Sequence, residues 1–230
     1  MILWKSDEEL FELARKELFT ALVGDVLDGM ELQHQFLPPN IKPLDSSMVV
    51  IGRAMPVLES DVEFIDQVAL ADGGLDKPFG RMFEALDDLK KNEIYICAGA
   101  SPNYALWGGL MSTRAMHLGA TGAVVDGYSR DTPEILRLGF PTFSQGTYAQ
   151  DQGPRGKVVD YRTPINFGSI RVRPGDVIYG DLDGVLVVPS EAVEEAFAGA
   201  LEKARGENQV RKALENGMSS KEAFDTFGLM

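Results

Sequence analysis

The sequence predicts a single α/β domain with a helical C-terminal tail. Three observations carry this reading. A continuous apolar run, Ala123-Val124-Val125-Asp126, is of the kind buried on both faces of a parallel sheet, and helical segments flank it. From Lys157 onward, short apolar runs alternate with Pro/Gly/Asp turns, as in a meander of short strands. From Ser190 the pattern turns helical. No internal repeat or low-complexity linker divides the 230 residues, so residues 1–230 read as one domain at about 150 residues per domain.

The elements follow in order. Ser6-x-x-Glu9 is a capping box, and Leu10, Leu13, Ala14 and Leu18 follow at helical spacing. A second short helix covers Thr20 to Asp28, and Leu37-Pro38-Pro39-Asn40 is a turn. Met48 to Val57 reads as a strand with a bend at Gly52, Phe79 to Leu89 as a helix and Ile94 to Ala98 as a strand. Gly108-Gly109 leads into a helix over Leu110 to Leu118, stopped by Gly119. Asp131-Thr132-Pro133-Glu134 opens another helix ending near Gly139, and Pro141 to Thr147 is a short strand. Further strands lie near Val158, at Ile170 to Val172, at Val177 to Tyr179 and at Val185 to Val188, with Asp183-Gly184 as a hairpin signal. The C-terminal helix is expected to break near Gly206. Val210, Ala213 and Leu214 form an apolar stripe stopped by Gly217, and Ser219-x-x-Glu222 starts a last short helix.

Composition narrows the function. Apolar residues make up 44% and charged residues 25%, which suits a packed core and excludes global disorder. The net charge of −13 and pI near 4.6 argue against nucleic acid or an anionic membrane as partner. A small anion remains open, because a few local cations or backbone N–H groups suffice to bind one. The single cysteine, Cys97, rules out an intramolecular disulfide and a Cys-based zinc finger. It reads as a small buried hydrophobe and fits a cytoplasmic location. The stretch Met1 to Leu10 lacks the apolar core of a signal peptide. The uncharged stretch Ile94 to Thr113 contains Gly99, Pro102, Gly108 and Gly109 and is not expected to span a membrane.

Candidate chemistry gathers in two loops. Gly108-Gly109 before a helix lets backbone N–H groups converge on a carboxylate or phosphate, although a tight turn is the simpler role of two glycines. Arg130-Asp131 lies beyond the strand ending at Asp126, where ligands gather in a parallel α/β unit. A guanidinium beside free N–H groups would grip a carboxylate, and Asp131 could hold Mg²⁺ or Mn²⁺. Asp131-x-x-Glu134 is also a capping box, and from spacing alone capping is the favoured role of Asp131. Asp181-x-Asp183-Gly184 reads as turn chemistry. Asp25 and Asp28 could line a pocket or face solvent. His34 and His117, the only histidines, cannot build a multi-His zinc site. The motifs of nucleophile-elbow hydrolases, P-loops, zincins and dinucleotide folds are absent.

The block from Trp107 to Glu134 resembles the core of the RraA-like family, which includes 4-hydroxy-4-methyl-2-oxoglutarate aldolases and regulators of ribonuclease E. Gly109, then twenty residues, then Arg130-Asp131-x-x-Glu134 matches the family's spacing, with Trp107, Gly108, Gly119, Gly122, Val125 and Gly127 in register. Gly24-Asp25-Val26-Leu27-Asp28, Gly52-Arg53-Ala54 and the stretch from Arg173-Pro174-Gly175-Asp176 to Pro189 extend the likeness, with a core over about residues 18–216. The resemblance implies a swivelling-domain-like α/β/β/α sandwich, assembled as a homotrimer or as a hexamer with sites at subunit interfaces. It implies that Arg130 binds the substrate carboxylate with N–H groups near Leu110 and Met111, beside Gly108 and Gly109. It further implies that Asp131 ligates Mg²⁺ or Mn²⁺, with Glu134 a further candidate and Glu207 approaching from a neighbouring subunit. In the aldolases the position of Gly109 is acidic. Here it is glycine, so another acid compensates or the substrate differs.

The implied activity is a metal-dependent lyase, with aldolase and oxaloacetate decarboxylase action, that releases pyruvate from a small 2-oxo acid. No lysine lies in the motif block, so nothing there signals a Schiff base. The alternatives are a non-catalytic regulator that binds an enzyme partner, and a metal enzyme of the same fold that acts on another hydroxy or sugar acid in the room left by Gly109.

Overall fold

The computed structural model describes residues 3–62 and 78–228. Its helices are α1 (Asp7–Glu17), α2 (Thr20–Gly29), α3 (Met82–Asp87), α4 (Gly109–Leu118), α5 (Thr132–Leu138), α6 (Val193–Glu215) and α7 (Ser220–Phe227). Its strands are β1 (Lys42–Pro43), β2 (Val50–Asp61), β3 (Glu93–Ala98), β4 (Ala105–Trp107), β5 (Gly122–Val125), β6 (Tyr128–Ser129), β7 (Thr142–Ser144), β8 (Gly156–Tyr161), β9 (Ile165–Phe167), β10 (Ile170–Val172), β11 (Val177–Gly180) and β12 (Val185–Val188).

The main sheet runs β1-β7-β5-β3-β2-β11-β12, and β8 pairs with the far end of β2. The β2, β3, β5 and β7 pairings are parallel, as the apolar run at Ala123 to Asp126 predicts. The segment leaving α2 almost closes this sheet. Leu37 N–H donates to Val185 O of β12, and a few residues later Lys42 and Pro43 pair with β7. Alternation along each strand sorts the core. Tyr95, Cys97, Ala123 and Val125 face α3, α4 and α5, while Ile51, Val177, Tyr179, Leu186 and Val188 face α1, α2 and α6. Their neighbours Ile94, Ile96, Val124, Ile178, Val185 and Val187 point the other way, into the curl of the sheet that the β9–β10 hairpin fills. The α/β class, the single domain and the helical tail are as the sequence predicts.

Specific polar contacts and turn residues explain several element ends. Asp183-Gly184 turns β11 into β12, and Asp181 accepts from the N–H and hydroxyl of Thr20, both at 2.7 Å, which caps α2 from a distance. Such a cap is worth about 1 kcal/mol. Gly119 and Gly139 end α4 and α5 in the left-handed conformation. Ser219 and Glu222 form the full reciprocal box at α7.

Three expectations are corrected. At Ser6 the box is only half made: the hydroxyl accepts from Glu9 N–H, but the Glu9 carboxylate accepts from Lys5 N–H instead. Gly52 does not bend β2. It is needed because a Cβ there would lie 2.5 Å from Thr121 Oγ1 and 2.6 Å from Asn92 O, and the strand's irregularity falls at Leu58/Glu59. Gly206 does not break α6. Its N-terminal half, held by Val193, Ala196, Phe197, Ala200, Leu201 and Ala204 against α1, α2 and the sheet, propagates through a single glycine that costs only about 1 kcal/mol.

Among the described residues no helix is long and apolar enough to cross a membrane. Cys97 is buried, and burial pushes its thiol pKa up, consistent with an inert packing residue.

Candidate active site

Two short parallel strands bring the predicted loops together. β4 pairs with β6, so that Trp107, just before the glycine pair, lies opposite Ser129, just before Arg130-Asp131. Arg130 N–H donates to Trp107 O at 2.9 Å. The Trp107 indole N–H donates to Ser112 Oγ at 2.7 Å, and that hydroxyl donates to Gly108 O at 3.0 Å. A buried chain of hydrogen bonds therefore fixes the start of α4 against the loop that carries Arg130. β4 and β6 are too short to show a periodicity, and the sequence reading places neither.

Neither Gly108 nor Gly109 has a positive φ, so their requirement is space. A Cβ on Gly108 would lie 2.8 Å from Asp131 Oδ2, and one on Gly109 would overlap Glu134 Oε2. Both candidate carboxylates thus lie against the glycine pair. The room expected at Gly109 for a bulkier ligand is not there, because Glu134 fills it.

Asp131 does not cap its own helix. It stands at the N-cap of α5 with φ +58°, and its side chain makes no capping bond. Its carboxylate instead accepts from Gly109 N–H at 3.1 Å. The capping role favoured by spacing is corrected: a left-handed backbone, tolerated by Asp at a cost of about 1–3 kcal/mol, turns the side chain across to the neighbouring helix. At 45% side-chain exposure the carboxylate keeps lone pairs for a ligand.

Arg130 is held by a residue that the sequence reading does not single out. Its Nη1 lies 2.7 Å from Asp151 Oδ1, and its Nε lies 3.9 Å from Asp131 Oδ2. Asp151 is fixed in turn by Gly153 N–H at 3.0 Å. Next to it, Gln152 donates to the buried Glu59 at 2.6 Å. Burial raises the Glu59 pKa well above its ordinary value, so this carboxyl holds its proton where exposed glutamates have lost theirs. Asp151 and Glu59 are brought to the site by long-range packing, and no local motif announces them.

The N-terminal geometry of α4 leaves the N–H groups of Leu110 and Met111 without intrahelical acceptors. Gly108, Leu110, Met111, Arg130, Asp131 and Asp151 rim a cavity of about 420 Å³, whose wall is formed by α3 and β4. Glu207 lies on α6, in the other helical layer, and is not among the described residues that line this cavity. Asp25 is exposed and pairs with Lys203, while Asp28 and both histidines face solvent. Among the described residues no three His, Cys, Asp or Glu side chains gather as a metal cluster.

The fold and this rim define an α/β protein in which carboxylates and an arginine surround a helix start. The chain belongs to the RraA-like family, described as Aldolase/RraA, whose match covers residues 20–187. It is 30% identical to a protein of Halalkalibacterium halodurans named "Putative 4-hydroxy-4-methyl-2-oxoglutarate aldolase", over 89% of each chain. It is 23% identical to protein DlpA of Legionella pneumophila over 90% of this chain, and spans only about a third (32%) of that relative's length. The crystal structure of RraAS2 from Streptomyces coelicolor, an unusual member of the RNase ES inhibitor RraA family, superposes with a TM-score of 0.76 at 22% identity, over 91% of this chain and 99% of that one. That likeness is one of fold.

Proposed function

We propose that this chain is a divalent-metal-dependent carbon–carbon lyase that releases pyruvate from a 2-oxo acid, with aldolase action on substrates of the 4-hydroxy-4-methyl-2-oxoglutarate type and decarboxylase action on oxaloacetate. The observation that carries the reading is the convergence of Asp131 and Glu134 on the Gly108–Gly109 backbone beside Arg130.

The donor set fits Mg²⁺ or Mn²⁺. Hard oxygen ligands suit these ions, and Mg²⁺ commonly takes one or two protein carboxylates and completes its shell with water and substrate oxygens. Asp131 is half-exposed with one hydrogen bond to a backbone N–H, and Glu134 supplies the acid that glycine at position 109 lacks. When bound, the ion supplies Lewis-acid stabilisation of negative charge on the substrate's carbonyl oxygen.

The chain's own residues do the rest. Arg130 binds the substrate's C1 carboxylate, held near it by its ion pair with Asp151 at Nη1, which leaves other donors for the ligand. The N–H groups of Leu110 and Met111 add a second, fixed pair of donors at the positive end of α4. Trp107 and Ser112 hold that helix start in register, so the donors need no rearrangement as charge develops. No lysine occurs among the described residues of the cavity, in keeping with a mechanism that needs no Schiff base. The reading carries with it a homotrimer or a hexamer working in the cytoplasm, with Glu207 directed at the site of a neighbouring subunit.

A second reading, a non-catalytic regulator that binds an enzyme, is favoured by Leu110, which is 81% exposed at the cavity mouth. Metal-stripped protein given oxaloacetate or 4-hydroxy-4-methyl-2-oxoglutarate separates the two. Pyruvate released only after Mg²⁺ or Mn²⁺ is added supports the lyase. A folded protein silent across a panel of 2-oxo acids with either metal supports the regulator.

A further inference from the structure

Resting on the lyase reading, we infer that the preferred substrate is a 2-oxo acid whose far end is apolar, an aryl or branched-alkyl group, and not a dicarboxylate. The head of the cavity is polar, with Arg130, Asp131 and the start of α4. Its body is not. Phe79, Met82, Phe83 and Leu86, on α3 and the turn before it, face Leu106 of β4 and Met111 of α4 across it. At about 420 Å³ the space lies in the range that encloses ligands much larger than a four-carbon acid.

Charge points the same way. Among the described residues the cavity is lined by two arginines and three aspartates. Arg114 at the far rim is paired with Asp87 at 2.8 Å, and Arg130 at the head is paired with Asp151 at 2.7 Å. Arg130 has donors left for one carboxylate. A second carboxylate at the far end would meet no unmatched cation among these residues and would be pressed against apolar side chains, which is costly without a partner. A phenyl or isobutyl group there would be desolvated favourably.

The reaction this implies is a retro-aldol cleavage of a 4-hydroxy-2-oxo acid with an apolar group on C4. The C3–C4 bond breaks, and its electron pair passes to C3, which takes a proton. The C4 hydroxyl gives up its proton and becomes the carbonyl of the departing aldehyde. The products are pyruvate and an apolar aldehyde, with no oxidant or co-reactant required.

The test compares kcat/KM of the Mg²⁺-loaded protein for 4-hydroxy-2-oxo-4-phenylbutanoate and for 4-hydroxy-4-methyl-2-oxoglutarate. A preference of about tenfold or more for the aryl substrate is expected, the size of discrimination an apolar pocket supplies. Phe83→Ala, at a half-exposed position that tolerates truncation, should cut the aryl-to-oxaloacetate specificity ratio by about tenfold. Equal or better use of the dicarboxylate overturns the inference and leaves the lyase reading standing. A Phe83→Ala protein with an altered oligomeric state and an unchanged specificity ratio assigns the apolar wall to a subunit contact and also overturns it. If no 2-oxo acid is turned over, the lyase reading falls and calorimetry judges the pocket separately. Phenylpyruvate binding tighter than oxaloacetate upholds the apolar assignment, and equal or weaker binding overturns it.

Discussion

The carboxylate of Glu134 occupies the space that a side chain at Gly109 would need: a Cβ built on Gly109 would overlap Glu134 Oε2. Two residues 25 positions apart in the chain (134 − 109) therefore compete for one place beside the glycine pair. An acid presented from position 109 would make the Glu134 carboxylate swing aside.

That displacement is testable by exchange. Gly109→Asp alone should lower Mn²⁺ affinity and turnover by about tenfold or more, because Glu134 would be pushed aside and two like charges crowded together. Adding Glu134→Ala should restore most of the loss. Calorimetric titration with Mn²⁺ checks both proteins. A double variant no better than the single one contradicts the shared-place account.

Asp131→Asn separates ligation from helix capping. Asn tolerates the left-handed backbone and can still accept from Gly109 N–H, so stability should change by less than about 0.5 kcal/mol, well under the cost of a lost N-cap. Metal-dependent turnover should nevertheless vanish. Denaturant melts alongside pyruvate release make the comparison, and a fully active variant removes Asp131 from the metal role.

Arg130→Lys should lower kcat/KM by about a hundredfold, since a point charge cannot both keep the Asp151 contact and grip a carboxylate with a planar fork. The substrate's KM should rise while the melting temperature moves little, because the pair it replaces is more than a third exposed. Unchanged kinetics would mean that the substrate carboxylate is held elsewhere.

Glu59 gives a pH signature. Its folded-state pKa is raised well above the ordinary 4.5, chiefly by burial. Above pH 4.5 the unfolded chain releases this proton while the folded chain keeps it, so Glu59 makes stability fall as pH rises toward the folded-state pKa. Glu59→Gln can still accept from Gln152 and carries no such proton. Its melting temperature should gain on the unaltered protein as pH rises above about 5. A difference independent of pH would show that Glu59 does not remain protonated in the fold.

The sequence made the scaffold legible where the signal is local. The apolar run at Ala123 to Asp126, the stops at Gly119 and Gly139 and the turn at Asp183-Gly184 each act within a few residues, and each lies where it was expected. That the Arg130 loop meets the glycine pair was also legible, because both loops follow strand ends of the α/β unit. What could not be read was set by distant chain. Asp131 looks like a cap until Gly109 N–H is brought beside it, and Asp151 and Glu59 reach the site only through packing. Ala105–Trp107 and Ile165–Phe167 are too short to show a period of two. The continuity of α6 through Gly206 reflects tertiary packing overriding propensity.

The most direct test is a crystal soaked with Mn²⁺ and oxalate, read by anomalous scattering from the manganese. The account predicts one peak in contact with the Asp131 carboxylate, Glu134 beside it, and oxalate bridging that ion to the Arg130 guanidinium. Oxalate bound with no peak there, or manganese bound only away from Asp131, would contradict it.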